Sequence, residues 1–206
     1  MRRKMGYLVL TMAVVFMVAG CSSPPTQDLD AANAAIKSLA AAGAEKYAPE
    51  DLKKFNDQVA AANAEIKAQE GKWFKSYDKS KEMLTKVKAD ADAFKPVLAQ
   101  KKEEAQKAAT AAQDAAKAAV EEAKGLLAKA PAGKESRADL EAMKADVKGL
   151  EDGLAEVQNL VASEDYRTAA DKAKAISDKA AGVSDQVKQA MEKVAAAKKG
   201  KGKPKK

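Results

Sequence analysis

Two acid pairs, Glu103-Glu104 and Glu121-Glu122, and an aromatic cluster, Trp73, Phe74 and Tyr77, have the types and spacing that invite a chemical reading. Neighbouring carboxylates can share acid and base roles or hold a hard cation, and aromatic faces stack on sugars or apolar partners. Each feature has a structural competitor. The acids lie among lysines at three- and four-residue spacing, as a solvated helix face with ion pairs requires. Trp73 and Tyr77 fall in step with the apolar positions that follow, so the spacing predicts that they seal the end of a helical bundle. With no His and one Cys in the chain, general bases, thiolate nucleophiles and soft metal ligands are nearly lacking. The expectation is a non-enzymatic protein with no metal and no cofactor. Met83, Met143 and Met191 read as core filler.

The one cysteine ends a leader. Arg2, Arg3 and Lys4 precede an uncharged run from Tyr7 to Ala19. That run is shorter than the ~20 residues a helix needs to cross the hydrocarbon, which favours a signal peptide over 1–20. Val18-Ala19-Gly20-Cys21 resembles the lipobox of bacterial lipoproteins. The resemblance implies that the signal peptidase recognises Val18, Ala19 and Gly20, and that Cys21 becomes the acylated first residue of the mature chain, carrying palmitate or related chains. Ser22 after the cysteine is similar to lipoproteins of the cell outer membrane. More than one acyl chain suffices for stable anchoring, so the expected location is the periplasm-facing membrane surface, without a span. A plain secretory signal, or an uncleaved anchor with a coincidental cysteine, is the competing reading.

Charge collects at the other end. Lys198, Lys199, Lys201, Lys203, Lys205 and Lys206 are interleaved with Gly200, Gly202 and Pro204, which predicts a disordered basic tail over 198–206. The formal charge of the whole chain is +7. Without the three basic residues of the leader and the six tail lysines, 28 basic side chains face 30 acidic ones. The basic balance thus belongs to the tail, and no nucleic-acid partner is expected. An anionic envelope polymer such as peptidoglycan is the expected contact, through attraction that salt weakens; a tail that only solubilises is the plainer alternative. Lys206 as last residue also resembles the small Ala-rich lipoproteins of the Braun type, which are joined to peptidoglycan through a C-terminal lysine. That resemblance implies covalent attachment through the Lys206 ε-amine. This chain departs from them in its length, its several hairpins, and Lys205 in place of an aromatic-basic ending.

The elements that must position these groups are helices. Of 206 residues 48 are Ala, and no segment alternates with period two. The fold class expected is all-α, an elongated, coiled-coil-like bundle of antiparallel helical hairpins. Residues 21–27 read as the acylated tether and 28–197 as the bundle, with hairpins at about 49–95 and 134–197 and a long helix at about 73–129. The first seam is Leu29, Ala32, Ile36, Leu39 and Gly43. The second is Leu52, Phe55, Val59, Ala62 and Ile66, opened by Pro49 and closed near Gly71. The third runs Trp73, Tyr77, Ser80, Leu84, Val87, Ala91, Phe94 and Leu98, then Ala105, Ala112, Ala119 and Leu126; Pro96 is expected to kink or divide it.

Ser136 and Asp139 resemble a capping box ahead of a fourth seam, Leu140, Met143, Val147, Leu150, Leu154, Val157 and Val161. Ser163 is placed to cap the last helix, whose stripe is Tyr166, Ala169, Ala173, Ile176, Ala180, Val183, Val187, Ala190 and Val194. The small-residue line from Ala105 to Ala119 suits either a tight intrachain contact or a homo-oligomer seam. Leu52, Val59, Ile66, Tyr77 and Val87 recur as Leu140, Val147, Leu154, Tyr166 and Ile176 at a separation of 88 or 89 residues, the pattern a duplicated hairpin leaves. Gly43-Ala44-x-x-Tyr47-Ala48-Pro49-x-x-Leu52 resembles an uncharacterised family of helical envelope lipoproteins over roughly residues 29–95, which implies a hairpin fold and an envelope location.

The functional expectation is an acyl-anchored envelope lipoprotein, a structural tether or spacer between outer membrane and cell wall. A helix of about 55 residues would measure roughly 80 Å. The alternative is a helical binding module that docks a periplasmic partner protein.

Overall fold

The computed structural model describes residues 23–131 and 137–201, with side chains placed through Ala196. All regular elements among them are helices: α1 Thr26–Ala41, α2 Ala44–Tyr47, α3 Pro49–Glu70, α4 Asp78–Lys129, α5 Arg137–Ala162 and α6 Tyr166–Lys201. The chain forms two compact units, one ending at Lys101 and the other beginning at Lys102. The all-α class expected from composition is the class observed.

The first unit holds α1, α2, α3 and the opening part of α4. Helix α1 buries Ala32, Ala35, Ile36 and Leu39, the stripe its spacing predicts. It starts at Thr26, inside the stretch read as tether, with Pro25 at its N-cap. Gly43 then takes φ 99°, a left-handed conformation that carries little penalty only without a Cβ, and turns the chain into α2. Pro49 opens α3 where its missing N–H is no loss, and Glu50 and Asp51 occupy the electropositive first turn. Helices α1 and α3 pack together, with α2 against both. A connection this short between two packed helices returns the chain antiparallel.

Helices α3 and α4 are also antiparallel, because partners on α4 rise in number as those on α3 fall: Lys79 with Glu65, Phe94 with Phe55, Lys101 with Asp51. The α4 stripe in this unit is Ser80, Leu84, Val87, Ala91 and Leu98, all buried, as is Tyr77 immediately before the helix. Ser80 is tolerated there because its hydroxyl donates to the Tyr77 carbonyl at 2.8 Å. Pro96 lies within α4, which continues through it.

One expectation is corrected at this point. Trp73 does not extend the seam: α4 begins at Asp78, five residues later than predicted, and 71–77 is non-helical. Gly71 ends α3, and four-residue spacing from Tyr77 has no meaning where the backbone is not helical.

The second unit comprises the rest of α4 with α5 and α6, and α5 and α6 pack along their lengths. Their antiparallel register shows in Lys172 with Glu156, and in Ile176, which packs beside Gly153. Helix α4 joins both, through Lys124 with Glu151 and Glu122 with Lys188. Leu140, Val147, Leu150 and Val157 of α5 are buried, as are Tyr166, Ala169, Ala173, Ile176, Ala180, Val183 and Val187 of α6. The proposed duplication extends to burial in part: Val59 and Val147, Tyr77 and Tyr166, and Val87 and Ile176 are core pairs at matching positions.

Three further expectations change here. The buried stripe of α4 is Ala109, Gln113, Ala116, Val120, Ala123 and Leu127, while Ala105, Ala112, Ala119 and Leu126 form its half-buried flank. Alanines surround this part of the helix on nearly every side, so apolar periodicity does not select a face; Val120 and Leu127 mark the covered one. Ser163 does not cap α6, since its hydroxyl donates back to the Leu160 carbonyl at 3.1 Å and closes α5. Glu164 follows at φ 56° and turns the chain. Finally, α6 continues through Lys198, Lys199 and Gly200 to Lys201, beyond the predicted end at 197. A glycine at the end of a long helix lowers its stability by only about 1 kcal/mol relative to alanine, too little to stop it outright.

Candidate functional site

Taking the candidate residues in chain order, Val18, Ala19, Gly20 and Cys21 lie outside the described residues, as do Ser136, Lys203, Lys205 and Lys206. Of the tail lysines, Lys198, Lys199 and Lys201 fall on the α6 backbone. Among the described residues, no helix is long and apolar enough to cross a membrane.

The acid pairs dissolve into ion pairs with lysines. Glu103 meets Lys107 at 2.6 Å, Glu121 meets Lys124 at 3.1 Å, and Glu122 meets Lys188 at 3.1 Å. The Lys107 hydrogen bond holds the Glu103 carboxyl below its ordinary value, and Glu151, with Glu121, holds the Lys124 ammonium above its own. A carboxylate kept ionised by a lysine is a poor general acid at neutral pH. Among the described residues, no three carboxylate or thiol groups converge in a cation-holding cluster. These contacts are exposed and contribute little to stability; Glu103–Lys107 and Glu121–Lys124 lie within α4, while Glu122–Lys188 and Lys124–Glu151 join it to α6 and α5.

The aromatic cluster separates into two parts with different environments. Tyr77 is 2% exposed in the core, whereas Trp73 is 93% and Phe74 78% exposed on the α3–α4 connection. Lys72 and Lys75 flank these two rings and both are exposed, with the Lys72 charge also acting on the Glu65 carboxylate. Ser76 donates to the Asp78 carboxylate at 3.1 Å where α4 starts. The expected seal is therefore made by Tyr77 alone. Met83, Met143 and Met191 are half-buried at the margins of their seams.

A further feature was missed by pattern reading. Ala145, Asp146, Gly149 and Leu150 on α5 face Lys179, Gly182, Val183 and Gln186 on α6 across an open groove of about 520 Å³. A Cβ on Gly149 or Gly182 would meet nothing within 4 Å, so neither glycine is there for close helix packing. Two glycines inside helices, placed so that both face one groove, were the available signal. Helix-interior glycines are otherwise unfavourable by about 1 kcal/mol each.

The sequence thus offers Cys21 and the basic C-terminus as candidates, while the described residues add an aromatic tip and a glycine-floored groove. Compared with known protein families, curated proteins and solved structures, the chain matches none.

Proposed function

We propose that this protein is an acyl-anchored lipoprotein of the cell envelope, a non-enzymatic tether or spacer between outer membrane and cell wall. Cys21 holds the membrane, the helices form the body, and the C-terminal lysines meet peptidoglycan or another anionic polymer. The observation that carries the reading is the position of the only cysteine, directly after Val18-Ala19-Gly20 and an uncharged apolar run with a basic start. The charge distribution supports it, since beyond the three basic residues of the leader the excess of positive charge lies in the last nine residues.

Two measurements test it. Labelled palmitate should enter the wild-type chain and not Cys21→Ser, and equal incorporation into both would end the lipoprotein reading. Cell walls boiled in detergent and probed before and after muramidase digestion should release the protein only after digestion, unless Lys206 is deleted. Complete release by detergent alone would limit the tail to noncovalent contact.

A second reading is favoured by the groove between α5 and α6, where Leu150 and Val183 accompany two open glycines. In this reading the second unit is a binding module that docks a periplasmic partner protein. Gly149→Leu and Gly182→Leu would fill the groove and abolish that docking, while leaving palmitate incorporation and wall release unchanged.

A further inference from the structure

We infer that the α3–α4 connection is a lipid-binding tip, in which Trp73 and Phe74 enter the interface of an anionic bilayer and Lys72 and Lys75 contact its headgroups. Single exposed apolar residues are ordinary on protein surfaces. Here two large aromatics are adjacent, 93% and 78% exposed, at the apex between two helices. They project from a connection instead of lining a cavity, so they are shaped to enter a soft surface. Trp prefers the headgroup level, Phe the acyl boundary, and lysines on either side add attraction to anionic lipid of about 1 kcal/mol each. From Gly71 to Tyr77 the only charged residues are Lys72 and Lys75.

The topology of the first unit points to a lipid surface as the occupant. Because α1 is antiparallel to α3 and α3 to α4, the start of α1 lies at the same end of this unit as the tip. Thr26 begins α1 five residues after Cys21. With 16 residues in α1 and 22 in α3, the helix ends differ by roughly 9 Å, a distance the five residues from Cys21 can cover even with Pro24 to Thr26 in a turn. The inference extends the lipid-anchored reading: the surface that holds the acyl chains of Cys21 is the surface the tip reaches.

Trp73 is the only tryptophan, so its emission reports the tip directly. The test uses the chain from residue 21 onward with Cys21→Ser, which retains all described residues and cannot be acylated. Failure here is thereby separate from failure of lipidation, which palmitate labelling reads. With vesicles of phosphatidylglycerol and phosphatidylcholine, Trp73 emission should move to shorter wavelength and be quenched by brominated acyl chains. Phosphatidylcholine alone should give a weaker response. Phe74→Ala should weaken binding roughly tenfold, and Lys72→Gln or Lys75→Gln about fivefold each, with helical circular dichroism unchanged. Emission that does not respond to vesicles overturns the proposal. So does vesicle sedimentation that survives Trp73→Ala with Phe74→Ala, which would assign binding to the lysine tail. A shift that grows with protein concentration without lipid would also overturn it, and would make a second copy of the chain the occupant.

Discussion

Phe55 on α3 meets Phe94 on α4 edge to face, with ring centroids 5.7 Å apart and planes at 64°. The Lys101 ammonium lies 5.6 Å from the Phe94 centroid and bonds Asp51 at 2.8 Å, so aromatic contact, cation and carboxylate form one cross-helix group. Phe55 is buried and Phe94 half-buried. Phe55→Ala should therefore lower stability by about 3 kcal/mol and Phe94→Ala by about 1–2 kcal/mol, with coupling of about 1 kcal/mol between them. Urea unfolding of the two single variants and the double variant measures all three, and equal losses for the singles would contradict the burial difference.

The glycines should respond to alanine in opposite directions. Gly149 and Gly182 have open space around a built Cβ, so each change to Ala should stabilise by about 0.5–1 kcal/mol through helix propensity. Gly43 sits at φ 99°, and its Cβ would come within 3.2 Å of the Tyr47 ring, so Gly43→Ala should destabilise by about 1–2 kcal/mol. Thermal melts read the signs directly; a stabilised Gly43→Ala would refute the left-handed turn.

Pro96 supplies no N–H to α4 and stands inside the helix. Pro96→Ala should restore the bond to Asp92 and raise stability by about 1–3 kcal/mol, visible as a higher melting temperature. An unchanged or lower melting point would mean that the surroundings already accommodate the proline.

Acid should weaken the fold in a defined window. Hydrogen bonds from Lys88, then Lys95, pull the Asp92 carboxyl down to about 2, and Gln69 and Lys107 lower Glu65 and Glu103 respectively. A depressed folded value means stability that is present above the ordinary carboxylate range and lost as pH falls toward the folded value. The melting temperature should stay level down to about pH 5, then fall toward pH 2, with Asp92→Asn removing part of that drop. Because Glu103 is exposed and Asp92 and Glu65 are only half-buried, high salt should shrink the effect. A decline beginning near neutral pH would require a different titrating group.

Much of the fold was legible from residue spacing, and the reason is burial. In α1, α3, α5 and α6, apolar side chains recur every three or four residues among charged ones, so only one face can be covered, as Val59, Val147 and Ile176 demonstrate. The reading of Cys21 as an acylation site and the lysine excess over 198–206 rest on local sequence alone, because recognition of a short segment and the charge of a chain end need no tertiary partner. Three features were decided by the folded structure, through packing, a local hydrogen bond and a helix boundary. In the second half of α4 nearly every side offers alanine, so the faces presented by α5 and α6 select Ala109, Ala116 and Ala123 over Ala105, Ala112 and Ala119. Ser163 has an acceptor within reach at the end of α5, and that local bond wins over capping the helix ahead. Trp73 and Tyr77 share a four-residue spacing, yet one is solvated and the other buried, because both precede α4, which begins at Asp78, and only a helical backbone converts spacing into a common face.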